Sequence, residues 1–151
     1  MKALKSILAF ALGLVCTVVL AQDSQKEVVA SGNKVYVRIV NDQEHPIPAD
    51  EIEDVTREFA AAGAWERVEE ASEADFILNV EAKKKVVFNS PRTWLTPSVV
   101  DKDGNVLWKG DTYKADATMF NGYRATNTCI RKVIEKGFQN NLFKKAGLLP
   151  I

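Results

Sequence analysis

Hydrophobic and polar residues alternate in some segments of the chain and recur every three or four positions in others. Residues 34–40 (KVYVRIV) alternate strictly, which is typical of a half-buried strand. A proline-containing loop follows, and then Ile52, Val55, Thr56 and Phe59 fall at helical spacing. Asp50 is the predicted N-cap of this helix and Gly63 its predicted end. The pattern therefore predicts a strand followed by a helix.

The second half of the chain continues with strands and closes with a helix. Residues 65–68 form a short extended piece, and residues 74–88 alternate long enough for a long strand. Residues 94–100 and 105–113 flank the sequence DKDG, which is a strong turn signal and predicts a hairpin. The final helix has a buried stripe on which Gly137 predicts close packing against the sheet, and it ends at Gly147 and Pro150.

The order of these elements predicts the fold class. We expect a single two-layer α+β domain over residues 34–151. Its sheet is antiparallel-rich or mixed, with about four to five strands, and two helices pack on one face. No internal repeat and no low-complexity tract interrupts it.

The N-terminus has the order of a secretory signal peptide. Lys2 and Lys5 precede an apolar run, and a cleavage site after Ala21 would end a signal at residues 1–21. Residues 22–33 are polar and predict a flexible leader. The apolar run is shorter than a membrane span needs, so we expect an exported protein, periplasmic or extracellular, without a transmembrane segment after cleavage. Lipidation at Cys16 is the alternative.

The charge balance and the histidine content limit the classes of function that we expect for this chain. Removal of residues 1–21 takes two of the 20 basic residues and leaves 18 against 20 acidic ones, so nucleic acid is not an expected partner. His45 is the single histidine, and it stands in a proline-flanked loop, so no metal site is predicted. We expect no catalytic residues and no cofactor, because no phosphate-binding or nucleophile motif is present.

Cys129 is the one cysteine outside the predicted signal peptide. It stands beside the apolar stripe of the last helix, which predicts a buried structural thiol. The alternative is a reactive thiol at a helix N-terminus, where the pKa of cysteine falls.

A group of aromatic and basic residues in the hairpin region predicts a binding surface. Its aromatic members are Trp94, Tyr113 and Tyr123, although core packing explains aromatics there equally well. Its basic members are Lys83, Lys85 and Arg92. Alternation along the strand places Lys84 on the face opposite Lys83 and Lys85. The lysine run is either a solvated strand end or a contact for an anionic envelope polymer or lipid head group.

Residues 59–80 (FAAAGAWERVEEASEADFILNV), followed by VVDKDGNVLWKGDTY, resemble small periplasmic α+β domains of the cell envelope. Such domains occur at the N-terminus of TolB-like proteins, in curli-secretion lipoproteins and in penicillin-binding-protein activator lipoproteins. The resemblance implies a non-catalytic accessory or adaptor protein that binds another envelope protein. A small-ligand or glycan-binding module is the second hypothesis, and an enzyme that uses carboxylates or Cys129 is the third.

Overall fold

The computed structural model describes residues 26–148. The predicted signal peptide, Cys16 and Pro150 lie outside the described residues. Six strands form one sheet: β1 (Lys34–Asn41), β2 (Glu66–Arg67), β3 (Phe76–Val87), β4 (Ser90–Val100), β5 (Val106–Lys109) and β6 (Tyr113–Asp116). Three longer helical segments accompany them, one more than the sequence predicts. They are α1 (Ala49–Ala62), α2 (Ala125–Lys132) and a π-helical segment (Val133–Phe143) that continues α2 directly, and short 3-10 turns lie at Ala71–Glu73 and Met119–Asn121.

The sheet is mixed and open, in the order β2-β1-β3-β4-β5, with β6 also on β4. β1 runs parallel to both β2 and β3, whereas β3 and β4 form a long antiparallel hairpin. β5 pairs with the C-terminal part of β4 and β6 with its N-terminal part. β4 therefore pairs with three of the other strands.

α1, α2 and its π-helical continuation cover one face of the sheet, and this one-sided helical layer is as the sequence predicts. Val55, Phe59 and Phe138 are buried between the layers, and the Phe59 and Phe138 rings meet edge to face with centroids 5.2 Å apart. Gly137 lies over β6, where an added Cβ would come 3.2 Å from the Tyr113 ring. The prediction of close packing at Gly137 is confirmed.

The strand count exceeds the predicted four to five because residues 105–113 do not form one strand. The break falls at Gly110, where an added Cβ would lie 2.7 Å from the Trp108 ring and 2.9 Å from Pro97. The backbone at Gly110 packs directly against these two side chains, and the chain then pairs with β4 a second time as β6. The expected turn at residues 101–104 is confirmed, with Gly104 at a φ of +88°.

Two local predictions need correction. α1 begins at Ala49 after Pro48, and Asp50 makes no capping hydrogen bond. Proline at this position fixes φ and stops the helix from extending backward, so the polar cap is not used. β4 also begins at Ser90 rather than at residue 94, because Phe88 and Asn89 close a two-residue turn after β3.

The packed part of the chain begins before the predicted domain start at residue 34. Val29 is buried in the core, and the Trp65 indole nitrogen donates a hydrogen bond to the Val29 carbonyl at 2.9 Å. The Asn33 side-chain amide also donates hydrogen bonds to the carbonyls of Glu27 and Val28. Residues 26–33 of the predicted leader thus contact the domain through both apolar and polar groups.

Candidate binding face

The face of the sheet opposite the helices carries the residues that alternate with the core positions. Strand register places them in rows across the sheet. One row is Arg38, Asn79, Ser98 and Lys109, and the next is Val40, Glu81 and Thr96. A third row places Lys83 beside Trp94 and Trp94 beside Lys114. We call this surface the open face; its central residues are Val40, Glu81, Lys83, Lys85, Arg92, Trp94, Thr96 and Lys114.

Trp94 lies at the centre of a basic cluster on the open face. The Lys83 ammonium is 5.5 Å from the centroid of the Trp94 ring, and the Arg92 guanidinium carbon is 5.8 Å from it. Both distances are within the range of a cation–π interaction. Lys85 is directly opposite Arg92 across the β3–β4 pair. The half-buried indole is thus flanked by cations from two strands.

Arg92 is fixed by a second contact. Its guanidinium donates to both carboxylate oxygens of Asp116 on β6, the longer bond being 3.2 Å. This hydrogen bond lowers the pKa of Asp116 and raises that of Arg92. The pair holds the guanidinium beside Trp94 in one orientation, since a bidentate contact restricts the planar group.

An open depression of about 450 Å³ lies next to the Trp94 ring. Asp42 and Glu81 supply carboxylates to it, Lys83 supplies an ammonium group, and Thr96 and Thr112 supply hydroxyls that bond each other at 2.8 Å. Backbone N–H donation from His45 lowers the pKa of Asp42. One aromatic wall, hydroxyls and charges of both signs can hydrogen-bond and stack against a polar ligand or a protein side chain.

The structure brings four of the six predicted binding residues together. Lys83, Lys85, Arg92 and Trp94 share the open face. Tyr113 points instead to the helix side, where it packs on Gly137. Tyr123 lies in the loop before α2 and is exposed, at a φ of +62°. Lys84 contacts Glu51 on α1 at 2.7 Å, which confirms that it lies on the opposite face from its two lysine neighbours.

Sequence reasoning missed the residues that complete the depression. Asp42, Thr96 and Thr112 come from three different segments, and their meeting depends on strand pairing that the pattern does not specify. The sequence pattern could have identified Thr96. It is two residues from Trp94 in an alternating strand and therefore lies on the same face.

The Cys129 thiol is buried, as the sequence predicts, and it donates a hydrogen bond. Its sulfur lies 3.2 Å from the carbonyl oxygen of Tyr113. Burial raises the pKa of the Cys129 thiol to about 12. The neutral thiol is a poor nucleophile, since the thiolate is the reactive form.

Residues 26–148 show neither a metal-binding cluster nor a membrane-spanning helix. This part of the chain contains no cluster of three or more histidine, cysteine, aspartate or glutamate side chains that could hold a metal ion. It also contains no helix that is both long and apolar enough to cross a membrane.

A second surface feature is at the end of the β3–β4 hairpin. Val86 and Phe88 are exposed there, and Met119, Phe120 and Tyr123 are exposed in the loop between β6 and α2. Phe88 and Phe120 each keep 97% of their surface accessible. Phe88 also has a φ of +51°, which costs a residue with a Cβ roughly 1–2 kcal/mol relative to ordinary backbone. We call these five residues the apolar tip.

The hairpin and the loop are held together at this end. The Ser90 hydroxyl donates to the Ala117 carbonyl at 2.6 Å, and the Ala117 N–H donates to the Pro91 carbonyl at 2.8 Å. The two turns of the apolar tip are therefore neighbours. Sequence reasoning assigned no binding role to Val86, Phe88 or Met119. For Val86 and Phe88 the reason is that alternation continues through them and no glycine or proline marks the turn after β3.

No protein-family model and no curated protein sequence matches this chain. Solved structures do match its fold. The PelC dodecamer from Paraburkholderia phytofirmans is 18% identical with a TM-score of 0.50, covering 80% of this chain and 90% of that chain. An uncharacterised lipoprotein B from Nitrosomonas europaea is 12% identical with a TM-score of 0.50, at the same coverage. These likenesses show a shared small α+β fold, and the resemblance to the three families named above stays a prediction.

Proposed function

We propose that the chain is an exported, non-catalytic accessory protein of the cell envelope that binds another protein through the open face. The observation that carries this proposal is the half-buried Trp94 between Lys83 and Arg92, on a sheet face that neither α1 nor α2 covers. Tryptophan and arginine are enriched among the residues that dominate protein interfaces. The hydrogen bonds that Arg92 donates to Asp116 orient the guanidinium in advance, which lowers the entropy lost on binding.

The envelope setting is supported by two independent features. The predicted signal peptide directs export. The fold is shared with a protein that is described as a lipoprotein. The non-catalytic part of the proposal is supported by Cys129, because burial keeps this thiol protonated and out of contact with solvent.

Site-specific photo-crosslinking in the native cells tests this function. A crosslinking amino acid replaces Thr96 on the open face, and in a matched chain it replaces Glu58, an exposed residue of α1 on the other side of the molecule. We expect one protein partner to be captured at position 96 and not at position 58. Capture at position 96 should fall at least about tenfold when Trp94→Ala is added, as for an interface hot spot.

Two results would count against an interface on the open face. One is equal capture at both positions, which indicates random collision. The other is capture at position 96 that Trp94→Ala leaves unchanged.

A small polar ligand such as a glycan is the second candidate, and the depression beside Trp94 favours it. Its volume of about 450 Å³ is within the range of small-molecule sites, and Thr96 and Thr112 offer hydroxyls beside an aromatic ring. Addition of soluble glycans should then quench or shift the fluorescence of Trp94 and raise the melting temperature. If glycans change neither the fluorescence nor the melting temperature, and a protein is captured at position 96, the result supports protein binding and counts against the glycan-binding function.

A further inference from the structure

From the apolar tip we infer that the end of the molecule at the β3–β4 hairpin docks on an anionic lipid surface. Its aromatic side chains would enter the interfacial layer and its lysines and arginines would meet the head groups. The five apolar side chains of the tip include neither Trp94 nor a residue of its depression, although Lys85 belongs to the open face as well. The inference therefore rests on different aromatic residues from the open-face proposal.

The first observation is the concentration of exposed apolar side chains. Within residues 26–148, seven large hydrophobic residues are exposed, and five of them form the apolar tip. The other two, Val40 and Val106, are on β1 and at the start of β5. Val106 is near the far end of β4, about 33 Å from the hairpin turn at 3.3 Å per residue. Most of the exposed apolar surface of the described residues is therefore concentrated at one end.

The second observation is the conformation of the turn. Phe88 and Asn89 both have positive φ values, of 51° and 64°, as in the type I′ turns that asparagine and glycine favour. A phenylalanine here is strained and gains no burial in exchange, since it is almost fully exposed. Strained residues that the fold does not need mark functional positions. The turn thus holds an aromatic ring out into solvent.

The third observation is charge. Residues 83–92 contain four basic residues and no acidic one, and residues 114–124 contain two basic residues and Asp116. The two segments thus have a net charge of +5 in a chain whose formal net charge is zero. Within the described chain, Lys85 and Arg124 are exposed and form no ion pair. Exposed basic residues next to aromatic ones are typical of binding to anionic lipids.

Acidic side chains of α1 also approach this end, in a groove that Tyr123 and Arg124 help to line. Two of them are already bonded, Glu51 to Lys84 and Asp54 to Arg57. These carboxylates offset positive charge on the helix side of the loop, and Asp116 pairs with Arg92, whereas Lys85 and Arg124 form no ion pair among the described residues and stay available for head groups.

The shape of the tip favours a lipid surface over a protein. Phe88 and Phe120 protrude from two separate turns and do not line a groove, so a protein partner would need two matching pockets. A bilayer interface is deformable and accepts both rings without such pockets. The nearby cations fit the negative charge of its head groups.

Vesicle co-sedimentation tests the inference, with the protein isolated as its own cells process it. The vesicles contain phosphatidylcholine with phosphatidylglycerol, or phosphatidylcholine alone. The test variant is the double substitution Phe88→Asn and Phe120→Ser, and the matched control is Val106→Ser, which removes an exposed apolar residue at the other end. All forms share the same N-terminus, so differences between them report on the tip.

We expect the wild-type protein to bind the anionic vesicles at least about tenfold better than the neutral ones, and the double variant to lose at least about tenfold of that binding. Val106→Ser should bind like the wild type. Asparagine is favoured at position 88, so the double variant should melt no lower than the wild type, and lost binding then cannot be ascribed to misfolding.

The inference is overturned if the wild-type protein stays in solution with anionic vesicles, or if the double variant binds as well as the wild type. It is also overturned if a photo-crosslinker at position 88 captures a protein in cells and no lipid. The Trp94→Ala chain should still bind vesicles, so failure of this inference and failure of the open-face proposal give different results.

Discussion

The Lys83 ammonium and the Trp94 ring face each other across the β3–β4 pair, 5.5 Å apart. Trp94 is half-buried, whereas Trp65 and Trp108 each expose only 6% of their surface. Trp94 is therefore the tryptophan that solvent reaches most readily.

This difference predicts the outcome of fluorescence quenching by acrylamide. We expect one readily quenched component of the emission, and Trp94→Phe should remove it. Trp108→Phe is the matched control and should retain that component. Unchanged quenching in the Trp94→Phe protein would show that another tryptophan is accessible.

Gly63 is packed under the Trp65 indole, and Gly63→Ala should destabilise the fold. An added Cβ would lie 2.2 Å from a ring atom of Trp65, although the φ of −92° suits alanine. Crowding of this kind costs roughly 1–3 kcal/mol, measurable as a lower urea midpoint. Gly137→Ala is the comparison, because its closest contact of 3.2 Å is milder and the gain in helix propensity of about 1 kcal/mol opposes it. An equal loss of unfolding free energy in Gly63→Ala and Gly137→Ala would contradict this prediction.

Cys129 should not react with thiol reagents in the folded protein. With its pKa raised to about 12, only about one thiol in 10⁵ is ionised at neutral pH. We expect no labelling by a thiol reagent such as Ellman's reagent over hours in buffer, and one equivalent in urea for the chain without its predicted signal peptide. Fast labelling in buffer would require that α2 opens readily.

The ion pair between Asp116 and Arg92 predicts a pH dependence of stability. The folded-state pKa of Asp116 lies below its ordinary value of 3.8, mainly because of the hydrogen bond from Arg92. Its stabilising effect is therefore complete above about pH 5 and is lost as the pH falls below 3.8 through the lowered value. In urea unfolding, Asp116→Asn should be less stable than the wild type at pH 7, and the difference should shrink at pH 3. If the stability difference between the wild type and Asp116→Asn grows as the pH falls, the pKa of Asp116 is not lowered by folding and this prediction is wrong.

Phe88→Asn alone should stabilise the hairpin. Asparagine tolerates the positive φ that strains phenylalanine, so we expect a gain of up to about 1 kcal/mol in the free energy of unfolding. Thermal unfolding measures it, with Val106→Ser as the control for loss of an exposed apolar side chain. A lower melting temperature would show that the Phe88 ring makes contacts that the fold needs.

Alternation alone predicted much of the fold and which lysines share the open face. It assigned Lys83 and Lys85 to one face and Lys84 to the other, because side chains of a strand alternate with a period of two. The same rule would have sent Tyr113 to the helix side, had its register with Leu95 been known. Register depends on the turn and on the bend at Gly110, which are tertiary features.

The features that escaped prediction depend on local sequences that are atypical for their structure. The turn at Phe88 and Asn89 contains neither glycine nor proline, so β3 and β4 did not appear as one hairpin in the pattern. Val29 lies in a mostly polar segment, and its burial depends on Trp65, which is 36 residues away. Composition within a short window contains no information about such distant contacts.

The central position of β4 also bears on the order of folding. Its pairing with β3 closes a turn of only two residues, whereas the parallel pairing of β1 with β3 joins Val35 to Phe76, 41 positions apart. Loop-closure entropy is lowest for the nearest contacts, so the β3–β4 hairpin should form first and provide the template on which β5, β6 and finally β1 assemble. The folding rate should then be limited by the docking of β1 and α1 and should depend little on substitutions in the hairpin turn.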